Sequence, residues 1–180
     1  ETCRMSDIKN YHSEEHSLSN GQVLMRNYSF DEALVIVREM TDNLVLDLFE
    51  KGLVTSSLTL WIAYDHRYEH EASKGTVKLE RESNSSKKII DAVEDLYLRI
   101  ADRYTGIRRI EVCANRVAPE SYVQYSLFDD PKQTDKERHL QEAVLNVKQR
   151  YGKNAIMRGS NLLECSTYRE RNEQVGGHRA

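Results

Sequence analysis

The sequence predicts an α+β fold: a four-stranded antiparallel sheet with two helices on one face, in the order β-α-β-β-α-β. Two patterns predict this split βαβ arrangement. Apolar and polar residues alternate, with the period of half-buried strands, in the segments 17–24, 57–64, 76–81 and 107–117. Apolar residues recur at three- and four-residue steps, the period of amphipathic helices, in the segments 31–51 and 86–104. A C-terminal helix and a tail are expected after the sheet.

The composition limits the size and class of the protein. With 180 residues, of which 39% are hydrophobic, the chain can bury one core and carry an appendage. The sequence contains no apolar run long enough to span a membrane and no signal peptide. Cys3, Cys113 and Cys165 are widely spaced and odd in number, which indicates free thiols in a reducing cytoplasm and no zinc site. The chain begins at Glu1, so we expect a fragment of a longer protein.

The first half of the predicted domain has clear boundaries. Residues 1–16 are polar and aperiodic, and we expect a linker there. The first helix begins with a capping box at Ser29-Phe30-Asp31-Glu32, in which Ser29 and Glu32 each bond a backbone amide of the other. Gly52 supplies the left-handed residue that ends this helix.

The second half contains a polar loop, a helix and a strand with two adjacent arginines. His66 and His70 have helical spacing but lie in the predicted loop, so we predict no helical zinc site. The second helix is predicted to begin after Asn84-Ser85-Ser86, to include Tyr104 and to end at Gly106. If the strand is regular, Arg108 and Arg109 point to opposite faces of the sheet, so at least one of them would have to reach a ligand around an edge or through a bulge.

The sheet face without helices is predicted to carry hydroxyls, cations and one flat aromatic ring: Ser17, Ser19, Ser57, Thr59, Trp61, Lys78 and Arg109. Short donors and basic side chains can contact a phosphate backbone without reading a base sequence. The net charge is −3, but bases outnumber acids by seven to five in 86–117 and by nine to six in 134–180. This segregation permits nucleic-acid binding, although an ordinary solvated sheet face would have the same alternation.

The segment after the last strand contains Gln124-Tyr125-Ser126-Leu127-Phe128 between prolines and aspartates. Such a composition favours an exposed, extended chain. Leu127 and Phe128 are then displayed as adjacent apolar anchors, with a glutamine upstream, which is typical of a docking peptide. The alternative is a loop whose Phe128 folds back on its own domain.

The C-terminal helix is predicted at 134–151. Thr134 and Glu137 have capping-box spacing, and the apolar stripe consists of Leu140, Val144, Val147 and Tyr151. We expect this helix to pack on its own domain, and an accessory partner remains an alternative.

Four short motifs occur in the order and spacing of a known family: Asn20-Gly21-Gln22-Val23-Leu24, Ser73-Lys74-Gly75-Thr76, Ser85-Ser86-Lys87 and Ile107-Arg108-Arg109-Ile110. Together they resemble the little-finger domain of Y-family (UmuC/DinB-like) translesion DNA polymerases. The ending Arg171–His178 resembles that of the UV-damage-repair protein branch. The pattern Gln-x-x-Leu-Phe resembles the motif by which bacterial polymerases and repair proteins hold the sliding clamp.

The resemblance implies a monomeric little-finger domain at 17–117, an exposed clamp-binding segment at 118–133, and a C-terminal helix and tail at 134–180. It implies that the domain grips template-primer duplex during lesion bypass in the SOS response to DNA damage. The implied DNA contacts are Ser19, Asn20, Gln22, Ser73, Lys74, Thr76, Ser86, Lys87, Arg108 and Arg109. The implied clamp contacts are Gln124, Ser126, Leu127 and Phe128. Three acidic residues depart from a uniformly basic surface and would weaken the grip, namely Glu69, Glu71 and Glu111.

No catalytic residue is predicted. Polymerases of this class hold two metal ions with acidic residues on a palm, whereas the acids of this sequence lie mostly along amphipathic helix faces. The resemblance therefore implies a DNA-directed DNA polymerase whose palm, with its Mg²⁺, lies outside this chain. We expect no cofactor in the chain itself.

Three other functions fit the same topology. An RNA-recognition module needs aromatic residues on its central strands, and Trp61 alone does not make such a platform. A small-molecule regulatory domain would dimerise through sheet edges and would not need a clamp peptide. A structural scaffold would bind neither DNA nor a clamp.

Overall fold

The computed structural model describes residues 16–67, 69–121, 131–175 and 178–179. The predicted order of four strands and two helices is confirmed. The elements are β1 (Leu18–Tyr28), α1 (Phe30–Glu50), β2 (Leu53–Tyr64), β3 (Ser73–Ser83), α2 (Ser86–Ile100), β4 (Ile107–Asn115), β5 (Ala118–Pro119), α3 (Pro131–Tyr151), a 3₁₀ turn (Gly159–Leu162), α4 (Tyr168–Asn172), β6 (Gln174–Val175) and β7 (His178–Arg179).

The four long strands form one antiparallel sheet in the order β1-β4-β2-β3. The edge strands are therefore β1 and β3, while β5 pairs with the first residues of β2. Strands alternate in side-chain direction, so one face of the sheet is apolar and the other is polar. The strands extend beyond the predicted segments, most of all at the end of β1 and at the start of β2.

Both helices pack on the apolar face, as predicted. The hydroxyl of Tyr97 on α2 donates to the carbonyl of Phe30 on α1 at 2.7 Å, and the two rings lie 4.9 Å apart. Arg38 and Glu94 join the helices at the surface. The core combines side chains of the sheet (Leu24, Leu58, Leu60, Ile62, Ile110, Val112) and of the helices (Ile36, Met40, Leu44, Ile89, Val93, Leu96).

The start and end of α1 agree with the sequence. The capping box is present: the Glu32 amide donates to the Ser29 hydroxyl at 3.4 Å, and the Ser29 amide donates to the Glu32 carboxylate at 2.9 Å. Arg26 binds the same carboxylate, and these hydrogen bonds lower the pKa of Glu32 to about 2. Gly52 has a φ of +60°, the left-handed conformation expected at the end of this helix.

The predicted end of α2 is wrong. The helix ends at Ile100, and Tyr104 is 95% exposed. The reason lies in Asp102, whose carboxylate accepts hydrogen bonds from the amides of Tyr104 and Thr105. A short polar side chain that satisfies nearby amides competes with continuation of a helix.

The predicted start of α3 is also wrong. The helix begins at Pro131, a residue favoured at the first helical position, so Thr134 lies inside the helix and does not cap it. The predicted apolar stripe is not a buried face, because Leu140 and Tyr151 are 63% and 67% exposed. The buried residue of α3 is Gln141, which donates to the carbonyl of Asn84 at 3.1 Å.

Polar contacts hold α3 on its own domain, as expected. Arg138 pairs with Glu120 at 2.7 Å, and Gln149 donates to Glu50 at 2.9 Å.

The strand β4 ends earlier than predicted, at Asn115, and the next residue, Arg116, has a φ of 51°.

Residues 152–175 dock on α1 and β1 beside the core. Thr167 donates its amide to the carboxylate of Glu39 on α1 and its hydroxyl to Gln22 on β1. Ser166 also donates to Glu39. Burial raises the pKa of Glu39 and lowers that of the neighbouring Arg171.

The close packing of α2 on β3 gives a first prediction. A Cβ added at Gly75 would lie 2.8 Å from Leu96 and 3.1 Å from Ile100, both on α2. Gly75→Ala should therefore lower the free energy of unfolding by about 1–3 kcal/mol, measured by urea denaturation. The matched control is Gly21→Ala on the opposite face, where the nearest atom would be 3.6 Å away. The control should be neutral or slightly stabilising, and equal losses in the two variants would contradict the packing.

Candidate functional site

The sheet face opposite α1 and α2, called the open face below, is polar and lies in ordered rows. Two of the rows run across β1, β4, β2 and β3 in turn. One row is Gly21, Glu111, Trp61 and Lys74, and the next is Ser19, Cys113, Thr59 and Thr76. A third row, on β4, β2 and β3, is Asn115, Ser57 and Lys78.

Trp61 and Arg109 form the centre of the open face. The guanidinium carbon of Arg109 lies 5.0 Å from the centroid of the Trp61 ring, a cation–π distance. Its Nη2 atom is 3.4 Å from a carboxylate oxygen of Glu111. Lys74 is the direct neighbour of Trp61 on the other side. Arg109 therefore lies over the ring, Lys74 is the neighbour of Trp61 on β3, and Glu111 opposes these charges.

Hydroxyl and amide groups connect the other rows. The Thr59 and Thr76 hydroxyls lie 2.9 Å apart, and the Asn115 amide donates to Thr59 at 2.9 Å. These short side chains hold one another in place by hydrogen bonds, so this part of the open face is polar and ordered. This surface can donate to an anion or to water.

The two arginines of β4 differ in position, as the sequence indicated. Pairing with β2 passes from Ala63–Arg109 to Tyr64–Ile107, which leaves Arg108 as the extra residue of a bulge. Arg109 is exposed on the open face, whereas Arg108 is half-buried in the bulge. Because of the bulge, the direction of the Arg108 side chain is not set by the alternation of the strand.

The contact residues predicted from the sequence lie on both faces of the sheet and at the start of α2. Ser19, Lys74, Thr76 and Arg109 lie on the open face. Three others lie on the helix-covered face: Asn20 donates to the carbonyl of Met40 at 3.5 Å, Gln22 accepts from Thr167 and Arg171, and Ser73 bonds the hydroxyl of Tyr64 at 2.7 Å. Ser86 and Lys87 form the first turn of α2. The four residues of the 124–128 peptide lie outside the described residues.

A carboxylate of α3 occupies the start of α2. The Ser85 hydroxyl donates to both carboxylate oxygens of Glu137, at 2.9 and 3.0 Å, and the Lys87 amide donates to the same group at 2.9 Å. Arg158 donates to the Ser86 hydroxyl at 3.2 Å. The free amides and dipole of a helix N-terminus attract anions, and Glu137 is the anion here. The sequence pattern missed this contact because it assigned Glu137 to the cap of its own helix.

Among the described residues, no three His, Cys, Asp or Glu side chains cluster as metal ligands. His70 lies 3.5 Å from a carboxylate oxygen of Asp102, with its ring 4.3 Å from that of Tyr64. Burial raises the pKa of the Cys113 and Cys165 thiols, which disfavours reactive thiolates. Within the ranges that the structure describes, no helix has the length and hydropathy needed to cross a membrane.

Comparison with known proteins gives a family match and two curated relatives. Residues 15–127 match the impB/mucB/samB family C-terminal domain. DNA polymerase IV 2 of Bacillus subtilis (strain 168) is 24% identical over 166 residues, which are 91% of this chain and 39% of that protein. DNA polymerase IV 2 of Halalkalibacterium halodurans is 21% identical over 168 residues, 93% of this chain and 40% of that protein. The chain therefore spans about two fifths of the length of these relatives.

Solved structures with a similar fold include a complex of the beta-clamp processivity factor and the little finger domain of PolIV. That similarity has 12% sequence identity and a TM-score of 0.44, and covers 63% of this chain and 100% of the other. An insertion ternary complex of Dbh DNA polymerase matches with 15% identity and a TM-score of 0.43, over 58% of this chain and 29% of the other.

The charges around Trp61 give a second prediction. Trp61 is the only tryptophan, so fluorescence excited selectively over the tyrosines reports on the open face. At equal ionic strength, after each quenching constant is divided by that of free N-acetyltryptophanamide, iodide should quench Trp61 about twofold more strongly than caesium, because Lys74 and Arg109 concentrate anions there. Lys74→Glu with Arg109→Glu should reverse this order. Lys153→Glu with Arg169→Glu, which reverses two exposed cations of the C-terminal segment, should leave it unchanged. Equal quenching ratios in the two double variants would contradict the assignment.

Proposed function

The chain belongs to the impB/mucB/samB C-terminal domain family, and from this membership we propose that it is the DNA-contacting, little-finger part of an error-prone translesion DNA polymerase. The observation that carries the proposal is the open face, on which Lys74, Lys78 and Arg109 project between rows of short hydroxyls. Cations and hydroxyls of this kind contact phosphates and sugars without reading bases. The domain then grips template-primer duplex during bypass of damaged DNA.

The proposed grip is weak and independent of sequence. Glu111 lies on the same face as the cations, and Glu69 and Glu71 are exposed in the neighbouring loop between β2 and β3. These carboxylates repel phosphates and offset part of the attraction. A moderate grip suits a polymerase domain that must slide along duplex and later release it.

Catalysis is assigned to the part of the parent protein that lies outside this chain. The two relatives are polymerases by name, and the chain spans about two fifths of their length. We propose that a palm elsewhere in the parent protein holds the Mg²⁺ ions for nucleotidyl transfer. The present residues contribute binding and no catalytic group. The same proposal places the protein in the cytoplasm as a monomer that acts in DNA repair.

An RNA-binding module is the second candidate, and the open face disfavours it. Among the described residues, Trp61 is the aromatic side chain of this face, and it is already covered by Arg109. Base stacking in such modules needs two or three exposed aromatic rings.

A small-molecule regulatory domain is distinguished by its response to salt. It would bind its ligand without the strong salt dependence that phosphate contacts produce.

The sliding clamp is the proposed second partner, and the segment 124–128 is the proposed contact. Burying Leu127 and Phe128 in an apolar pocket would contribute roughly 1.5–3 kcal/mol each. Hydrogen bonds of Gln124 and of the peptide backbone add about 1 kcal/mol apiece, and Ser126 lies between Gln124 and the two anchors. Ordering the segment offsets part of this, so a free peptide should bind at around micromolar strength.

The third prediction concerns duplex binding. If the domain neutralises about four phosphates, the logarithm of the affinity should fall against log salt with a slope of about −3.6. Lys74→Glu with Arg109→Glu should weaken binding equally for all duplex sequences and reduce the slope to about −1.8. Fluorescence anisotropy with labelled duplexes at several salt concentrations measures both. Lys153→Glu with Arg169→Glu is the matched control, and an equal loss of binding in that control would move the DNA surface elsewhere.

The fourth prediction concerns the clamp. Leu127→Ala with Phe128→Ala should abolish binding to a bacterial sliding clamp and leave the melting temperature unchanged. Tyr122→Ala with Val123→Ala removes two apolar side chains from the same segment outside the pattern, and it should retain binding. Surface plasmon resonance and thermal denaturation give the two readouts. Loss of stability without loss of clamp binding would instead mean that Leu127 and Phe128 pack on their own domain.

A further inference from the structure

One side-chain row of α3 has an apolar centre and a cation at each end. Lys136, Leu140, Val144 and Lys148 follow one another at four-residue steps, so they share one face of the helix. Leu140 is 63% exposed, and Val144 is half-buried. Because a helix rises 1.5 Å per residue, the two lysines are about 18 Å apart along the helix axis.

This row forms one wall of an apolar groove of about 530 Å³. Leu46 on α1, Ile90 on α2 and Met157 form the rest of its apolar lining. All of the described residues that line the groove belong to helices or to the segment 156–158, so the groove lies on the side of the domain away from the open face. Both α3 and the segment 156–158 lie beyond residues 15–127, which match the family domain, so the groove is an addition to that domain.

Two of the three acidic residues that line the groove are engaged within the chain. Asp42 pairs with Arg158 at 2.6 Å. Glu137 accepts hydrogen bonds from the Ser85 hydroxyl at 2.9 and 3.0 Å. The third acidic residue, Asp91, is exposed on α2.

Three lysines of the lining, in contrast, keep their charge without an acidic partner. In the part of the chain that the structure describes, no ion pair involves Lys87, Lys136 or Lys148. Lys148 donates to a neutral group, the hydroxyl of Tyr168. The groove therefore has surplus positive charge at both ends of an apolar centre, and the complementary occupant is apolar in its middle and acidic at its ends.

We propose that the groove binds one amphipathic helix of a second protein, with an apolar row that is flanked at both ends by acidic residues. A helix fits because its side-chain rows pack between the rows of neighbouring helices, and about three turns span the distance from Lys136 to Lys148. The apolar row covers Leu140 and Val144, which is the usual way in which a groove holds a helix. A second copy of this chain fits poorly, because its own α3 would bring lysines against lysines. The inference concerns a different side of the domain and does not rest on the proposed function.

The test uses the full chain and a synthetic peptide that a hydrocarbon link holds as a helix. The peptide carries Glu, Leu, Leu and Glu at successive four-residue steps, and a matched peptide carries Lys in place of both Glu residues. Fluorescence anisotropy should give a dissociation constant of about 10 μM for the glutamate peptide. The lysine peptide should bind about tenfold or more weakly, because it meets like charges at both ends of the groove.

Reversal of the two lysines should reverse the preference of the groove. Lys136→Glu with Lys148→Glu should bind the lysine peptide about tenfold or more tightly than the glutamate peptide. Lys153→Glu with Arg169→Glu, which changes the net charge equally but lies outside the groove, should keep the wild-type preference. The proposal is overturned if neither peptide binds the wild type below about 1 mM, or if the preference is the same in the two double variants.

The apolar centre is tested separately. Leu140→Ser should weaken binding of the glutamate peptide about tenfold or more, whereas Leu162→Ser, at a side chain that is 68% exposed elsewhere, should not change it. Both variants should melt at the wild-type temperature, and unchanged binding in Leu140→Ser would place the peptide outside the groove. A concentration-dependent dimer that Leu140→Ser dissociates would assign the groove to a second copy. If this chain binds the glutamate peptide but the full-length parent protein does not, the groove is covered within the parent and the second protein is excluded.

Discussion

Both helices pack on a single face of the sheet, and the remaining surfaces follow from this one-sided burial. The core takes every second residue of each strand, from Leu58, Leu60 and Ile62 on β2 to Ile110 and Val112 on β4. The intervening residues face away from the core and are mostly polar or small, with Trp61 and Val23 as exceptions. The close approach of α2 to β3 requires Gly75, where a side chain would meet Leu96 and Ile100. The same constraint that builds the core therefore produces the open face with its three cations.

The sequence predicted the sheet and the first helices well because their signals are local. Alternation and helical periodicity are read within a single element, and the capping box of Ser29 and Glu32 closes within four residues. The predictions failed where a side chain found a better partner elsewhere. Asp102 took the amides that would have continued α2. Glu137 has the spacing of a local cap, yet it bonds residues about 50 positions away.

The candidate contact residues divide in the same way. Arg109 was predicted correctly as a residue of the open face because strand alternation determines its direction. Lys74 lies on the same face, but the sequence placed it in the loop before β3, so its direction was not predicted. Alternation equally places Asn20 and Gln22 on the other face, where the C-terminal segment covers Gln22 through Thr167 and Arg171. The family resemblance grouped these residues by motif, and motifs do not record which side of a strand a residue occupies. The role of each residue stays a prediction until binding is measured.

Weak binding at each proposed contact is consistent with the task proposed for the domain. Glu111 opposes the cations of the open face and pairs with Arg109, and the peptide proposed as the clamp contact has two apolar residues, Leu127 and Phe128. No single proposed contact holds duplex or clamp tightly. Because the contacts are joined in one chain, binding at one raises the local concentration of the other, and the combined affinity can exceed the separate affinities by about 10²–10⁴. Such an arrangement fails as a whole when one contact is lost. A bypass polymerase could therefore be recruited when both partners are present and be released when either one leaves.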